Sequence, residues 1–456
     1  MTPKEKISLT ITAAVCANVL LIPAYLNGYL FFFIDSGRHL KLDLVLEFTP
    51  PFYNLWLYPL YAWNLPWVVG LAQSSLAVGL IWFGLRISLG RASAWALAAT
   101  VGALTLGSSL PYQAGFALPD ALTALGILAI VLAPFERPRL RVALATLTFY
   151  SAICHFSHVP IFAATFLGAL GVHALVRRSG KLRISCFRET ALALLLAFAT
   201  QVSTNYLKHN RAVYSVSGPT FLFARLQADG LLGQYLREHC PEKRWAICAS
   251  ADQFPMPSSS FLWSPTGPGN VNGGFAALMD ESAEIVTGVV VAQPAPVAAN
   301  AARTTYEQLK LAVAVDIPGR AYIDLPALFE PLERDHPRIY KSLRGSNQFQ
   351  GQPDSASTLQ RAHGLISSLT LYAFPLLLAL AWRQRLHNPV VLATTLACGV
   401  FANAAVCAIG SEVYPRYGSR AQWLASFAVL LLAMALIESW KRERNSRPVL
   451  PSNDPG

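Results

Sequence analysis

Long apolar blocks alternate with short polar links along most of the chain. Ten blocks come near the roughly 20 apolar residues that cross a bilayer as one helix: 8–34, 66–85, 92–110, 119–135, 142–156, 159–176, 189–206, 362–382, 389–409 and 421–437. The blocks at 119–135 and 142–156 are the weakest of them. One long stretch, 207–361, breaks the rhythm with mixed charges, Gly-Pro turns and aromatic core candidates Trp245, Phe261 and Trp263. Its apolar runs at 285–292 and 309–315 are too short to span and read as strands or short helices. The pattern predicts an all-α polytopic membrane protein of about ten transmembrane helices. It also predicts a small periplasmic domain of mixed or mostly helical structure. The expected organisation is a membrane bundle over 1–206 with an outer loop at 35–65, the domain over 207–361, membrane helices over 362–440, and a tail over 441–456. The first block follows Lys4 and Lys6, as a signal peptide would. It lacks a small-residue cleavage site and runs on through Leu30-Phe31-Phe32-Phe33, so it reads as a retained anchor helix.

Charge adds orientation to this picture. Only 13% of the 456 residues are charged and 54% are hydrophobic, against about 25% charged in a typical soluble domain. An ordinary cytosolic enzyme and a polar disordered chain are both excluded. Lys and Arg mark the cytoplasmic side of a membrane protein. The links with Arg86/Arg91, Arg137/Arg139/Arg141, Arg177 to Arg188 and Arg383/Arg385 alternate with poorly basic ones, and the tail carries Lys441, Arg442, Arg444 and Arg447. An even number of spans with both termini in the cytoplasm accommodates every cluster, and it exports 207–361 from a bacterial inner membrane. On this topology the cytoplasmic segments, with Glu189 at the edge of the seventh block counted among them, hold 18 Lys+Arg and 6 acids, and the remainder holds 18 and 19. The formal charge of +11 is therefore an orientation signal, and a nucleic-acid partner is not expected. Cys240 and Cys248 are the only cysteine pair in the exported segment, where a disulfide suits an oxidising compartment. Cys16, Cys154, Cys398 and Cys407 fall inside spans as small apolar fillers. The chain has neither a Walker-type phosphate loop nor a Rossmann glycine fingerprint, which argues against ATP-driven transport by this chain alone.

Polar groups at membrane level are expensive and mark candidate sites. Most fall at the outer ends of spans. Asp35 follows the first block in Phe33-Ile34-Asp35-Ser36-Gly37-Arg38-His39, with Asp43 and Glu47 further along the same loop. Asp35 either serves chemistry or caps a helix and pairs with Arg38. The stretch Thr49-Pro50-Pro51-Phe52-Tyr53-Asn54-Leu55-Trp56 suits a short helix lying at the interface. Asp120 follows Pro119, which is ordinary helix-start chemistry as well as a candidate acid on the Asp35 side. His155 and His158 share one face if their segment is helical. They suit a divalent metal, a phosphate or plain interhelical hydrogen bonds, and a metal needs at least one more ligand. Arg416 and Arg420, in the last outer loop, could clamp a phosphate in bidentate fashion or simply snorkel to the interface. Lys208 and Arg211, just outside the seventh block, extend the same basic rim.

These residues resemble the GT-C membrane glycosyltransferases of the protein O-mannosyltransferase and aminoarabinose-transferase type. Asp35 after the first span, Pro50-Pro51-Phe52-Tyr53-Asn54 leading to the second, and Pro119-Asp120-Ala121-Leu122 opening a later span match in order and approximate spacing. The likeness covers the arrangement of roughly residues 1–180 and departs where the family's Asp-Glu pair would stand, since Ser36 follows Asp35. It implies transfer of a sugar from a polyprenyl-phosphate donor to an envelope glycan, lipid or protein. Asp35 would be the base, with Asp43 or Glu47 as substitutes. Asp120, His155, His158 and Tyr53 would bind sugar or acceptor, and Arg416 and Arg420 would hold the donor phosphate. The exported Phe221-Leu222-Phe223-Ala224-Arg225, Cys240-Pro241 and Phe261-Leu262-Trp263 look like segments of uncharacterised bacterial polytopic membrane proteins, which implies no chemistry. Two rival readings are a transporter or flippase of an envelope lipid or glycan, and a non-catalytic envelope assembly protein.

Overall fold

The computed structural model of the chain describes residues 2–40, 49–176, 184–271, 274–311, 326–351 and 354–445. Among these, every regular element is helical, and the one backbone bridge is the isolated parallel pair Phe31 and Phe116. The principal helices are α1 (Pro3–Leu20), α2 (Ile22–Asn27), α3 (Pro66–Leu89), α4 (Ala94–Gly107), α5 (Asp120–Leu132), α6 (Pro138–Ile153), α7 (His158–Val176), α8 (Arg188–His209), α9 (Gly218–Ala228), α10 (Gly274–Ala292), α11 (Pro294–Lys310), α12 (Pro326–Asp335), α13 (Asp354–Arg383), α14 (His387–Gly410) and α15 (Pro415–Asn445). The run 285–292 belongs to α10, and Leu309 and Lys310, within the described part of 309–315, end α11.

Among the described residues six helices are long and apolar enough to cross a membrane: α3, α7, the continuous Ile184–His209, the Arg361–Arg383 part of α13, α14 and α15. The pair α10 and α11 passes the same test only jointly and bends by 102° between them, which would make a seventh span. The chain is a multi-pass membrane protein. Its lipid-compatible faces carry Leu192, Leu195 and Phe198 on α8 and Leu369, Tyr372 and Leu376 on α13, all exposed.

The first apolar block is not one helix. α1 starts on a reciprocal cap, in which Glu5 N donates to Thr2 Oγ1 and Thr2 N to Glu5 Oε2. α2 ends at Gly28, whose φ of 82° is readily adopted only by a residue without a Cβ. From Tyr29 to Phe33 the backbone is non-helical. Irregular backbone is tolerated in a membrane protein where other protein groups satisfy it, and they do so here. Phe31 N donates to Gly115 O and Ala117 N to Phe31 O, both at 2.9 Å. Gln348 takes the N–H of Phe32 at 3.1 Å and returns its own Nε2–H to Phe32 O at 2.7 Å. The continuous anchor helix expected over 8–34 is thereby corrected: Pro23 and Gly28 interrupt it, and residues more than 300 positions away hold the break open.

The weakest block in the sequence lies at the centre of the bundle. All 13 residues of α5 are buried, and α5 packs against α3, α6, α7, α14 and α15. Contact on every side explains why its apolar residues show no stripe. Residues 218–289 enclose a separate small core around Phe223, Leu236, Trp245, Phe261, Ile285 and Val289. Trp263, expected inside that core, is half exposed and stacks on Phe275 at 6.4 Å. Phe329, Leu332, Leu343 and Phe349 belong instead to the core of the bundle. The long segment therefore lies on the helices: α11 packs along α14, Gln308 and Tyr414 exchange two hydrogen bonds, and α12 packs on the turn that carries Asp35.

Candidate functional site

Three breaks in helical structure meet at one end of the bundle. The first is the short 3₁₀ turn Ile34–His39, which presents Asp35. The second is the start of α5, whose first residue is Asp120. The third is the link between α6 and α7, containing His155 and Ser157. α15 begins at Pro415, a favoured residue in a first helical turn. Arg416 and Arg420 therefore stand in its opening turns, not in a loop, and their spacing of four puts them on one face. They do not snorkel, since Arg416 is 8% exposed and Arg420 is 1% exposed.

The two arginines reach different partners. Arg420 makes four hydrogen bonds to protein partners. Its Nη1 donates to Asp120 Oδ1 at 2.8 Å, its Nε to Asn403 Oδ1 at 2.8 Å, and its Nη2 to Ser157 Oγ at 3.2 Å and to Cys407 Sγ. Arg416 is under-used. A guanidinium has five N–H donors, yet among the described residues Arg416 makes one hydrogen bond, Nη1 to Asp35 Oδ2 at 3.2 Å. Its buried Nε has no hydrogen-bond acceptor and lies 3.9 Å from Asp120 Oδ2, an ion pair too long for a hydrogen bond. The guanidinium lies over the Phe33 ring at 4.2 Å and 5.3 Å from that of Tyr417, which fixes its place. The Asp35 side chain is 32% exposed, whereas that of Asp120 is 3% exposed.

The other candidates sit around or away from this cluster. His155 and His158 are not on one helical face, because α6 ends at Ile153 and α7 starts at His158. His155 Nδ1 accepts from Ser157 N at 3.1 Å and contacts Ser157 Oγ at 2.8 Å, so this histidine joins the cluster through Ser157 and Arg420. His158 is fully buried, and both ring nitrogens are engaged. Its Nδ1 donates to Ser151 O at 2.6 Å, and its Nε2 is paired with Thr123 Oγ1 at 2.8 Å. Tyr53 is also fully buried, with its hydroxyl donating to Gln73 Oε1. Arg211 forms an exposed ion pair with Asp280 of α10, and Lys208 lies in the last turn of α8. Asp43 and Glu47 lie outside the described residues. Cys240 and Cys248 are bonded, with Cα atoms 5.7 Å apart.

Among the described residues no group of three or more His, Cys, Asp or Glu is placed to hold an ion. Arg416 and Arg420 also already balance the two carboxylates. Four residues of the cluster were not sequence candidates: Ser157, Asn403, Cys407 and His39. Asn403 and Cys407 carried a usable signal, being four apart within the apolar helix α14. His39 is fully buried beneath the Asp35 turn, where its Nδ1 donates to Asn54 Oδ1 at 2.9 Å and its ring meets Tyr53 edge-on. Its Nε2 has no hydrogen-bond partner among the described residues.

No protein-family model, curated protein or solved structure matches the chain.

Proposed function

We propose that the chain is a GT-C-type membrane glycosyltransferase that moves a sugar from a polyprenyl-phosphate donor to an envelope glycan, lipid or protein. The reading includes a ten-span bacterial inner-membrane topology, cytoplasmic termini and a periplasmic segment over 207–361. One observation carries it: a partly exposed carboxylate, Asp35, touches a buried arginine with unused donors, Arg416, at one end of an apolar bundle. A base beside an oxyanion partner is what such a transfer requires. The acceptor hydroxyl gives its proton to Asp35 as the new oxygen–C1 bond forms. The C1–oxygen bond to phosphate breaks, and its electron pair leaves with the polyprenyl phosphate. Arg416 faces the charge gained by that leaving group. Arg420 keeps Asp120 and the His155–Ser157 link in place and so acts on the site indirectly.

The test uses purified protein, radiolabelled polyprenyl-phosphate sugars and envelope extract. Asp35→Asn and Arg416→Ala should each lower label transfer by about 10²-fold or more while folding normally. Arg420→Ala should instead lower yield and thermal stability, since it leaves buried Asp120 without its hydrogen-bonded partner and with only the 3.9 Å ion pair to Arg416, at a cost of about 3 kcal/mol. Equal transfer by wild type, Asp35→Asn and Arg416→Ala would remove the assignment. Substrate-dependent flux into vesicles without any transfer would favour a transporter.

A further inference from the structure

We infer that the Asp35–Arg416 contact is a resting lock, which the phosphate of an isoprenyl-phosphate ligand opens by taking the place of Asp35 on Arg416. This rests on the function proposed above and gives it an order: donor first, base released second. Three features point to exchange. Arg416 is 8% exposed, makes one hydrogen bond among the described residues, and has only a 3.9 Å ion pair to Asp120 at its Nε, so its hydrogen-bonding capacity exceeds what the described residues supply. A guanidinium edge with spare N–H groups suits a phosphate, which can accept two of them in parallel. Asp35 is the replaceable partner, because it makes one 3.2 Å bond to Arg416 and keeps 32% of its side chain exposed. An ion pair with one wet partner contributes little to stability, so a phosphate can displace it.

The remaining groups stay put during the exchange. Arg420 is held by four hydrogen bonds, to Asp120, Asn403, Ser157 and Cys407, and Asp120 is buried. Arg416 is held by Phe33 and Tyr417, so movement falls to Asp35 on its short turn. While Asp35 is held by Arg416, its Oδ2 accepts a guanidinium N–H and the carboxylate is turned towards Arg416. Once phosphate takes that donor, the carboxylate is available to an acceptor hydroxyl. The lock thus couples the presence of a donor to the presence of a base.

The experiment measures binding of farnesyl phosphate to the full chain in detergent, with inorganic phosphate and phosphatidylglycerol micelles as the other arms. Removing the internal competitor in Asp35→Asn should tighten farnesyl phosphate binding about three- to fivefold. Asp35→Ser, which removes the same charge with less bulk, should do likewise if Asn disturbs the turn. Arg416→Ala should weaken binding about tenfold or more, and Asp35→Asn should then have no effect in the Arg416→Ala background. Unchanged or weaker binding by both Asp35 variants overturns the lock. So does equal tightening in the Arg416→Ala background, which would indicate only general relief of negative charge. Equal or better binding of inorganic phosphate or phosphatidylglycerol overturns the isoprenyl assignment. If the variants tighten as expected and wild type transfers no sugar, the lock stands and glycosyl transfer falls. If wild type transfers sugar and the Asp35 variants do not tighten, the reverse holds.

Discussion

Arg416 and Arg420 are the same residue type, one turn apart on the same helix, and their surroundings divide their roles. Four polar atoms of the chain take four of the five N–H donors of Arg420, whereas Arg416 faces the partly exposed Asp35. The sequence could propose both as a clamp but had no means of ranking them, because the pairing of Arg420 depends on Asn403, Ser157 and Asp120 arriving from three other elements. His39 makes the same point for a residue whose candidacy was invisible. Burial holds its imidazole below the usual pKa of 6.5, opposed by the hydrogen bond to Asn54 and the charge of Asp35. The folded protein therefore keeps His39 neutral, while the unfolded chain takes up a proton as pH falls through about 6.5. Its contribution to stability is complete above about pH 6.5 and is lost progressively below it. The thermal midpoint of wild type in detergent should fall more steeply between about pH 7 and pH 5 than that of His39→Gln. Parallel profiles would show that His39 does not control this loss.

Elements were legible where apolar length alone defines them. The blocks at 66–85, 159–176, 189–206, 362–382 and 389–409 became single helices with ends displaced by a few residues or extended by one or more turns. They failed where tertiary contacts replace helical hydrogen bonds. Pro23 and Gly28 were present in the sequence as warnings, but the strength of the break depends on Gln348 and the 115–117 backbone. The weak block at 119–135 became the most enclosed helix for a related reason. Short length argues against a lone span, but α5 is covered on all sides by neighbours. That enclosure relies on Gly126, where an added Cβ would run into the Phe162 ring, with Phe162 itself fully buried. Gly126→Ala should cost about 1–3 kcal/mol by overpacking, read as a lower thermal midpoint. Phe162→Leu should recover part of that loss in the Gly126→Ala background. Strict additivity of the two substitutions would mean that α5 and α7 are not in the close contact described.

At the scale of the whole molecule, alternation of basic and poorly basic links predicts which ends face the cytoplasm. A reporter fused after Arg178 should be cytoplasmic, and one inserted within 240–260 should be exported. Cys240 and Cys248 in the same protein should accept a thiol reagent only after reduction. A cytoplasmic signal from 240–260, or labelling of both cysteines without reductant, would overturn this topology. The segment over 207–361 read as a separate domain by composition, yet its parts divide. Residues 218–289 have their own core, and Phe329 to Phe349 complete the core of the bundle.

The sequence by itself determined the class of the molecule: helical, multi-pass, and interrupted by one long polar segment. It could do so because hydrophobicity and chain length act locally, and a bilayer imposes one length on every span. It also supplied the chemical kinds present near span ends. Only the tertiary structure decided which of them meet. Asp35 and Arg416 are 381 positions apart, and Asp120 and Arg420 are 300 apart. No local pattern encodes a contact over such separations. It arises because burying Asp120, Arg416 and Arg420 together, with Asp35 at their edge, leaves each with a partner, and burying any of them alone does not.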